Sequence, residues 1–235
     1  MKNIIIASTS TLHEGSYLEY LLPELKVLFE HCKTVLFIPY ARPSGISHEE
    51  YTAKVALAFA KINKEIKGIH EFEYAEKAIN TAEGIFTGGG NTFLLVSQLY
   101  KNNIMSVLAE NIKKGTPYLG TSAGSNICGL TMQTTNDMPI IYPPSFQTLG
   151  LIPFNINAHY LDADLQSKHM GETRETRIKE FHEFNSVPVL GLREGSWLVV
   201  NGEEISLKGN LSARLFRQNQ NPVEIEIGAD LSYLK

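Results

Sequence analysis

This sequence of 235 residues has little of what marks several special classes of protein. Its two cysteines, Cys32 and Cys128, form no C-x-x-C pair, which argues against a disulfide framework and a cysteine-based zinc motif. No apolar run approaches the roughly twenty residues that a membrane span needs. The formal net charge of −4 leaves no basic excess for binding nucleic acid. We therefore expect both cysteines to be buried as small hydrophobic side chains.

Metal-binding and nucleotide-binding motifs are also missing. No H-E-x-x-H pattern occurs, and the glycines at 88–90 are followed by neither a P-loop lysine nor a G-x-G-x-x-G pattern. The N-terminal apolar run at 4–7 is too short for a signal peptide. The sequence thus predicts a cytoplasmic protein that needs no metal or other cofactor and binds neither nucleic acid nor membrane. It predicts no particular oligomeric state.

What is present is the pattern of an α/β protein. Hydrophobic residues make up 43% of the chain and charged residues 20%, and no low-complexity linker divides it, so we predict a single domain over residues 1–235. Short apolar runs at 4–7, 35–38 and 85–87, with a third strand expected at 69–74, alternate with helical patterns. Such alternation predicts a doubly wound, mostly parallel sheet that binds ligands at the carboxyl ends of its strands.

The C-terminal third of the chain has a different pattern. One helix is expected at 174–184, and the remaining segments resemble strands. These segments lie near 156–159, 189–192, 197–200, 204–207 and 223–227. Turn pairs at Asn201-Gly202 and Gly209-Asn210 favour tight turns between strands. We predict antiparallel hairpins that extend one edge of the sheet.

A G-x-S-x-G pattern runs from Gly120 to Gly124 and is typical of a serine held on a sharp turn between a strand and a helix. The flanking glycines allow that turn, because a Cβ atom there would clash with the neighbouring backbone. This pattern predicts Ser122 as a nucleophile. A glycine- and serine-rich loop without chemistry is the alternative.

A serine nucleophile needs a base, which is usually histidine. His159 follows a strand-like run, so we expect it at a carboxyl end of the sheet, on the same edge as Ser122. His169 is the second candidate. The other five histidines fall in predicted loops or on helix surfaces, where solvation is the default expectation. They are His13, His31, His48, His70 and His182.

A carboxylate must orient the histidine, and Glu194 is in the best position because it follows the buried strand predicted at 189–192. Asp137, Asp162 and Asp164 are alternatives that fit loops or turns equally well. For the oxyanion, the amide after the nucleophile, that of Ala123, is one expected donor. The glycine turn ending at Gly90 is the expected source of a second donor.

The chain order serine, histidine, glutamate differs from the serine, acid, histidine order of α/β-hydrolases. With that order, the sequence resembles peptidase E, the α-aspartyl dipeptidases of the S51 serine peptidases. Six stretches carry the resemblance, which extends over most of the chain. They are G-G-G-N-T at 88–92, G-T-S-A-G-S-N at 120–126, T-T-N-D-M-P at 134–139, N-A-H at 157–159, G-E-T-R-E at 171–175 and G-L-R-E-G at 191–195.

The resemblance implies a flavodoxin-like sheet similar to that of class I glutamine amidotransferases, with Ser122, His159 and Glu194 as a catalytic triad. It also implies hydrolysis of dipeptides that begin with aspartate, without a cofactor. A small carboxylate is best held by arginine, through paired charge-assisted hydrogen bonds. Arg174 is therefore the expected ligand of the substrate carboxylate. Three further substrate-binding residues are expected beside it, namely Arg177, Asn91 and Asp137.

Two positions depart from the usual pattern of the family. Thr121 stands where tryptophan is common, and Ser125 stands where alanine is common. We therefore expect the shape of the pocket to differ from that of the family and the triad to be unchanged. A cyanophycinase-like peptidase acting on β-linked aspartyl units is an alternative within the enzyme class. A non-catalytic sensor of an acidic amino acid or peptide is the alternative from another class.

Overall fold

A computed structural model describes residues 1–164, 166 and 170–234, whose strands form two sheets. The first sheet has seven strands. In spatial order they are β3 (Glu65–Gly68), β2 (Thr34–Ile38), β4 (Ile85–Thr87), β5 (Tyr118–Thr121), β1 (Asn3–Ala7), β8 (Ser196–Asn201) and β9 (Glu204–Gly209). The second sheet has four strands. In spatial order they are β11 (Val223–Ile225), β10 (Ala213–Phe216), β7 (Val189–Leu192) and β6 (Asn155–Ala158).

Helices connect and cover these strands. They are α1 (Leu22–Leu28), α2 (His48–Ala60), α3 (Ala75–Asn80), α4 (Thr92–Lys101), α5 (Met105–Lys114), α6 (Ala123–Asn126) and α7 (Arg174–Phe184). The start of α2 is fixed by a capping box, because Ser47 and Glu50 each bond to the other's backbone amide. None of the described helices combines the length and the apolarity that crossing a membrane requires.

The first sheet confirms the predicted mostly parallel α/β architecture. Strands β1 to β5 pair in parallel. On the other side of β1, β8 pairs antiparallel to β1, and β9 pairs antiparallel to β8. The third strand was predicted at 69–74, and this was wrong, because β3 is Glu65–Gly68 and a 3-10 turn follows at Ile69–Glu71. As an edge strand, β3 is only partly buried and lacks the continuous apolar run of a central strand.

The C-terminal strands are divided between the two sheets. The hairpin predicted at Asn201-Gly202 joins β8 to β9 on the first sheet, as expected for an edge extension. The turn at Gly209-Asn210 was wrongly assigned to a hairpin, since the chain leaves β9 there and enters β10 of the second sheet. Strand β6 runs parallel to β7, and β10 and β11 complete that sheet, with β10 antiparallel to both β7 and β11. The prediction that residues 1–235 form one domain stays a prediction.

Hydrophobic clusters fill both faces of the first sheet. Helices α1 and α2 cover one face, where Leu25 of α1 and Tyr51 of α2 belong to one cluster with Phe37 of β2. Helices α3 to α6 and the second sheet pack against the other face, where Ile4 and Ile156 belong to one cluster. Both cysteines are buried and free, as the sequence predicts. The carboxyl ends of β1, β4 and β5 therefore lie between two packed layers.

The turn from β5 into α6 is packed without spare room. A Cβ atom on Gly120 would lie 2.4 Å from the carbonyl oxygen of Gly124, and one on Gly124 would lie 2.2 Å from that of Thr87. The Ser125 hydroxyl lies 2.6 Å from the carbonyl oxygen of Ala7 and 2.8 Å from that of Gly120. Ser125, which the sequence led us to expect in the shape of the pocket, thus joins the turn to β1 and β5.

Arg193 ties the second sheet to the loop after β6. Its guanidinium donates two hydrogen bonds of 2.8 Å to Asp162 and two, of 2.9 and 3.1 Å, to Glu224 on β11. Hydrogen bonds from Arg193, and to a lesser extent from Ser212 and Arg214, lower the pKa of Glu224 to about 2. The same two carboxylates raise the pKa of Arg193. Asp162 is therefore a structural partner of Arg193.

The lowered pKa of Glu224 predicts a pH dependence of stability. A carboxyl group whose pKa is lower in the folded than in the unfolded state stabilises the fold above its unfolded pKa, and this contribution is lost as the pH falls. We expect the free energy of unfolding to decrease between about pH 5 and pH 2, and to decrease less steeply in Glu224→Gln. Urea denaturation across this range measures the slopes. The exposed Glu110→Gln is the matched control, and equal slopes for wild type and Glu224→Gln would contradict the prediction.

The environment of Thr121 predicts a substitution that stabilises the protein. Its side chain is fully buried, and its hydroxyl finds no hydrogen-bond partner within the described part of the chain. Replacing an unpaired buried hydroxyl with a methyl group removes its desolvation cost, so we expect Thr121→Val to stabilise the protein by about 1 kcal/mol. Thr121→Ser keeps the hydroxyl, loses the methyl group and should destabilise. Thermal unfolding compares the variants, and a valine variant no more stable than the serine variant would refute this expectation.

Candidate active site

Ser122 lies on the sharp turn that the G-x-S-x-G pattern predicts. Its backbone angles are φ 55° and ψ −111°, which a non-glycine residue rarely adopts. The Ser122 amide donates to the carbonyl oxygen of Ala7 at 3.2 Å, and the Ser122 carbonyl accepts from the amides of Ser125 and Asn126. A Cβ atom on Gly89 would lie 2.9 Å from that of Ser122. The serine is thereby held against the glycine turn that follows β4.

His159 directly follows β6 and has a φ of 55°. Its amide donates to the hydroxyl of Ser8 at 2.9 Å, and that hydroxyl donates to the carbonyl oxygen of Leu192 at 2.7 Å. Ser8 follows β1 and is fully buried, so one hydroxyl joins the ends of β1, β6 and β7. The sequence places His159 on the same sheet edge as Ser122, whereas β6 belongs to the second sheet. The two strand ends nevertheless meet.

Ser122, His159 and Glu194 form a continuous chain of hydrogen bonds. His159 Nδ1 lies 2.6 Å from Glu194 Oε1, and His159 Nε2 lies 2.8 Å from Ser122 Oγ. An ionised carboxylate only accepts hydrogen bonds, so Nδ1 carries the proton and Nε2 of the neutral ring accepts from the serine hydroxyl. The arrangement can remove a proton from Ser122 as its oxygen forms a new bond.

The outer end of this chain is partly open to solvent. The side chains of His159 and Glu194 are 38% and 46% exposed. On the inner side, Tyr20 donates its hydroxyl to the carbonyl oxygen of Thr9 at 2.6 Å. Burial raises the pKa of Tyr20, and the nearby charge of Glu194 raises it further. The carboxylate thus lies beside a phenol that remains neutral.

Two backbone amides beside Ser122 are available to a ligand. Within the described chain, neither the Gly90 amide nor the Ala123 amide donates a hydrogen bond to the protein. Gly90 has a φ of 146°, and a Cβ there would lie 2.2 Å from the carbonyl oxygen of Ala41, so only glycine fits. The Tyr51 hydroxyl donates to the carbonyl oxygen of Gly89 at 3.3 Å. Because C=O and N–H point in opposite directions across a trans peptide, this contact turns the Gly90 amide away from α2.

Asp137 and Asn91 lie together at the start of α4. Asp137 Oδ2 accepts from the Thr92 amide at 2.7 Å, from the Thr92 hydroxyl at 2.5 Å and from the Thr135 hydroxyl at 3.0 Å. Asn91 caps the same helix by accepting from the Leu94 amide, and it donates to the carbonyl oxygen of Met138. Among the described residues, nothing bonds to Asp137 Oδ1. One carboxylate oxygen is therefore available for a ligand.

Arg174 and Arg177 begin α7 and border a cleft of about 460 Å³ that also includes Leu161 and Thr173. Burial and then the charge of Arg177 lower the pKa of Arg174, while the charge of Asp137 opposes this shift. The two arginines and Asp137 thus influence one another. Arg177 pairs with Glu172 at 3.8 Å, whereas Arg174 makes no ion pair with a described residue.

The remaining sequence candidates lie elsewhere. Asp162 is bound by Arg193, and Asp164 accepts from the amide of Gln166. His169 lies outside the described residues. The expectation that every other histidine is solvated was wrong for His182, which is buried, and for His70, whose side chain is only 13% exposed. Across the described part of the chain, no three His, Cys, Asp or Glu side chains are arranged to hold a metal ion.

Three residues that support the site were missed from the sequence. Ser8 follows the first strand, so the strand-end argument that identifies His159 could have found it. Arg193 precedes Glu194 in the G-L-R-E-G stretch, and no role was predicted for it from the sequence. An arginine at the end of a buried strand could have been expected to pair with a carboxylate. Asn136 of the T-T-N-D-M-P stretch donates to the carbonyl oxygen of Ala158 at 2.8 Å. These three side chains fix the backbone around His159 and Glu194.

Comparison with known proteins gives the context of this site. Peptidase family S51 matches residues 4–208. The chain is 46% identical over 232 residues to a protein named peptidase E from Streptomyces coelicolor, covering 99% of this chain and 94% of that protein. It is 43% identical over 236 residues to a probable alpha-aspartyl dipeptidase from Drosophila melanogaster, covering 99% and 97% of the two chains.

Solved structures share the fold. A peptidase from an acI-B1 actinobacterium superposes with a TM-score of 0.75 at 17% identity, covering 99% of this chain and 97% of that one. A putative peptidase E from Listeria monocytogenes superposes with a TM-score of 0.67 at 21% identity, covering 90% of this chain and 100% of that one. At such identities, the likeness concerns the fold alone. The family match and the curated relatives carry the assignment, and the chain belongs to peptidase family S51 and is a peptidase.

Proposed function

We propose that this peptidase is a serine dipeptidase that hydrolyses dipeptides with an N-terminal aspartate, using Ser122, His159 and Glu194 as its triad. The observation that carries the proposal is the unbroken chain of hydrogen bonds from Ser122 Oγ through the His159 ring to Glu194. Further support comes from the names of the relatives, which include a probable alpha-aspartyl dipeptidase. All reacting groups belong to the chain, so the proposed mechanism uses no cofactor.

The reaction follows from the direction of these hydrogen bonds. Ser122 Oγ attacks the scissile carbonyl carbon while its proton passes to His159 Nε2, and Glu194 stabilises the resulting imidazolium. His159 then gives the proton to the leaving amine as the C–N bond breaks, which leaves aspartate esterified to Ser122. A water molecule attacks the ester, and its proton follows the same route to His159 and back to Ser122 Oγ. Both products leave with the enzyme regenerated.

The negative oxygen of the tetrahedral intermediates needs donors that are already oriented. We assign this role to the amides of Ala123 and Gly90. Ala123 follows the nucleophile, and its amide belongs to the first turn of α6, where backbone donors have no partner within the helix. The contact from Tyr51 to the Gly89 carbonyl supports the second donor, because it fixes the peptide plane that carries the Gly90 amide.

The substrate presents two charges on its first residue, a side-chain carboxylate and an ammonium group. We assign the carboxylate to Arg174, whose guanidinium makes no ion pair with any residue that the structure describes. Arg177, already paired with Glu172, adds positive charge. Asp137 Oδ1 suits the ammonium group, and Asn91 adds a polar contact beside it. Glutamate at the first position would carry its carboxylate one methylene beyond this arrangement.

Replacing the nucleophile tests the triad. We expect Ser122→Ala to lose at least about 1,000-fold in kcat on Asp-Leu, because the covalent route is closed while binding groups remain. Hydrolysis followed by ninhydrin or chromatography measures the rate, and circular dichroism checks the fold. A serine-directed acylating probe should label wild type and the exposed control Ser106→Ala, but not Ser122→Ala. Labelling of Ser122→Ala at the wild-type level, with activity retained, would remove Ser122 from the mechanism.

A substrate panel tests the specificity. Asp-Leu should be cleaved far faster than Asn-Leu or Glu-Leu, and Arg174→Met should lower kcat/KM for Asp-Leu by about 100-fold, as expected for a lost charge-assisted pair. Arg177→Met is the matched control on the same helix and should lose less than about tenfold. Assaying a β-linked Asp-Arg substrate beside Asp-Leu shows whether the enzyme cleaves α-linked or β-linked aspartyl bonds. Equal cleavage of Asp-Leu, Asn-Leu and Glu-Leu would overturn the aspartate assignment.

A further inference from the structure

A second group of cations lies on the other side of the glycine turn, away from Arg174. The guanidinium carbon of Arg42 lies 5.1 Å from the ring centroid of Tyr51, and Lys54 Nζ lies 5.0 Å from that of Tyr17. The two phenol oxygens are 3.3 Å apart. We call Arg42, Lys54, Tyr17 and Tyr51 the cationic patch. It combines two exposed positive charges with a largely buried aromatic floor.

The cationic patch is connected to the nucleophile by direct contacts. Tyr51 donates its hydroxyl to the carbonyl oxygen of Gly89, and Gly89 lies against the Cβ atom of Ser122. Arg42 also follows Ala41, whose carbonyl oxygen accepts from the amide of Asn91 at 2.7 Å. Arg42 is thus one residue from the backbone that holds the Gly90 turn. The patch borders the reacting centre from the side of α2.

The proposed acyl side of the site is on the opposite face of the sheet. Tyr51 belongs to α2, whose cluster covers one face of the first sheet, whereas α4 and the second sheet cover the other. Arg174 on α7 and Asp137 at the start of α4 therefore bind their part of a substrate from that other face. A dipeptide bound across Ser122 with its aspartate toward Arg174 directs its second residue toward the cationic patch.

The charges of the patch are not neutralised by the protein. In the described part of the chain, neither Arg42 nor Lys54 has a carboxylate within 4.0 Å, whereas Arg193 and Arg214 each pair with two. Glu50, one turn before Lys54 on α2, uses its carboxylate to cap the helix through the amide of Ser47. Burial and then the proximity of Tyr51 raise the pKa of Tyr17, so the Tyr17 phenol does not supply negative charge.

We propose that Arg42, assisted by Lys54, binds the free terminal carboxylate of the leaving residue, which makes the site selective for dipeptides over longer or blocked substrates. The proposal rests on the proposed function, since it assigns the second half of the same substrate. A guanidinium suits a carboxylate because its donors match the two oxygens, and stacking on Tyr51 holds it in place before binding. Lys54 adds positive charge, and its ammonium group does not need the paired geometry that a guanidinium adopts with a carboxylate.

The test compares Asp-Leu with its amide, Asp-Leu-NH₂, which lacks only the terminal charge. Wild type should prefer the free acid by about tenfold in KM, and Arg42→Met should raise KM for the acid by about tenfold with little change for the amide or in kcat. The KM of Arg42→Lys for the free acid should lie between those of wild type and Arg42→Met. Arg217→Met is the matched control, because Arg217 also stacks on a tyrosine, at 5.4 Å from the Tyr233 ring centroid, but follows β10 of the second sheet.

Calorimetric binding to Ser122→Ala gives a reading that does not depend on turnover. This variant should bind Asp-Leu about tenfold more tightly than Asp-Leu-NH₂, and adding Arg42→Met should abolish the difference. Equal binding of acid and amide, or equal effects of Arg42→Met on both together with a lowered melting temperature, would overturn the proposal and leave Arg42 a structural role. Wild type that binds the acid selectively but cleaves neither would instead contradict the proposed function.

Discussion

The site depends on the end of β1, where a few hydrogen bonds join the two sheets. The carbonyl oxygen of Ala7 accepts from the Ser122 amide and from the Ser125 hydroxyl, so this strand holds the nucleophile turn. The next residue, Ser8, accepts from the His159 amide and donates to the Leu192 carbonyl. The separation of Ser122 and His159 is therefore set by two adjacent residues at the end of β1, Ala7 and Ser8. A small shift of the second sheet would otherwise break the 2.8 Å contact between Ser122 and His159.

Both ends of that contact occur in strained backbone. Ser122 and His159 each have a φ of 55°, and a sparsely populated backbone conformation of this kind costs a residue other than glycine roughly 1–3 kcal/mol. The surrounding contacts compensate for this cost, since the elbow glycines admit no Cβ and the His159 amide is bound by a buried hydroxyl. With this positive φ, the backbone at Ser122 and His159 departs from the extended conformation of the preceding strands. The same packing explains why the side chains of Thr121 and Ser125 are buried in the protein and do not line a pocket.

The residues of the site were more predictable from the sequence than the architecture behind them. Ser122, His159 and Glu194 each follow a buried strand, and the rule that ligands bind at carboxyl ends brings such residues together. The same rule does not say which sheet a strand joins, so the placement of β6 and β7 in a second sheet was not predicted. Strand β3 was misplaced because edge strands lack the apolar run that reveals central ones. Ser8 was missed because its role is to bind backbone, which leaves no motif.

The glycine turn lies between the two groups of charged residues to which we assign the two ends of the proposed substrate. Gly89 and Gly90 keep the turn thin, and in the proposed binding mode the first residue of the substrate lies toward α4 and α7 on one face of the sheet and the second residue toward Arg42 on the other. Any side chain on Gly90 would clash with the backbone of Ala41 and push apart the two sides of the glycine turn. Opposite charges on the first side, Asp137 and Arg174, match an ammonium and a carboxylate on one residue. Positive charge alone on the second side matches a residue whose amine is consumed in the peptide bond and whose carboxylate is free.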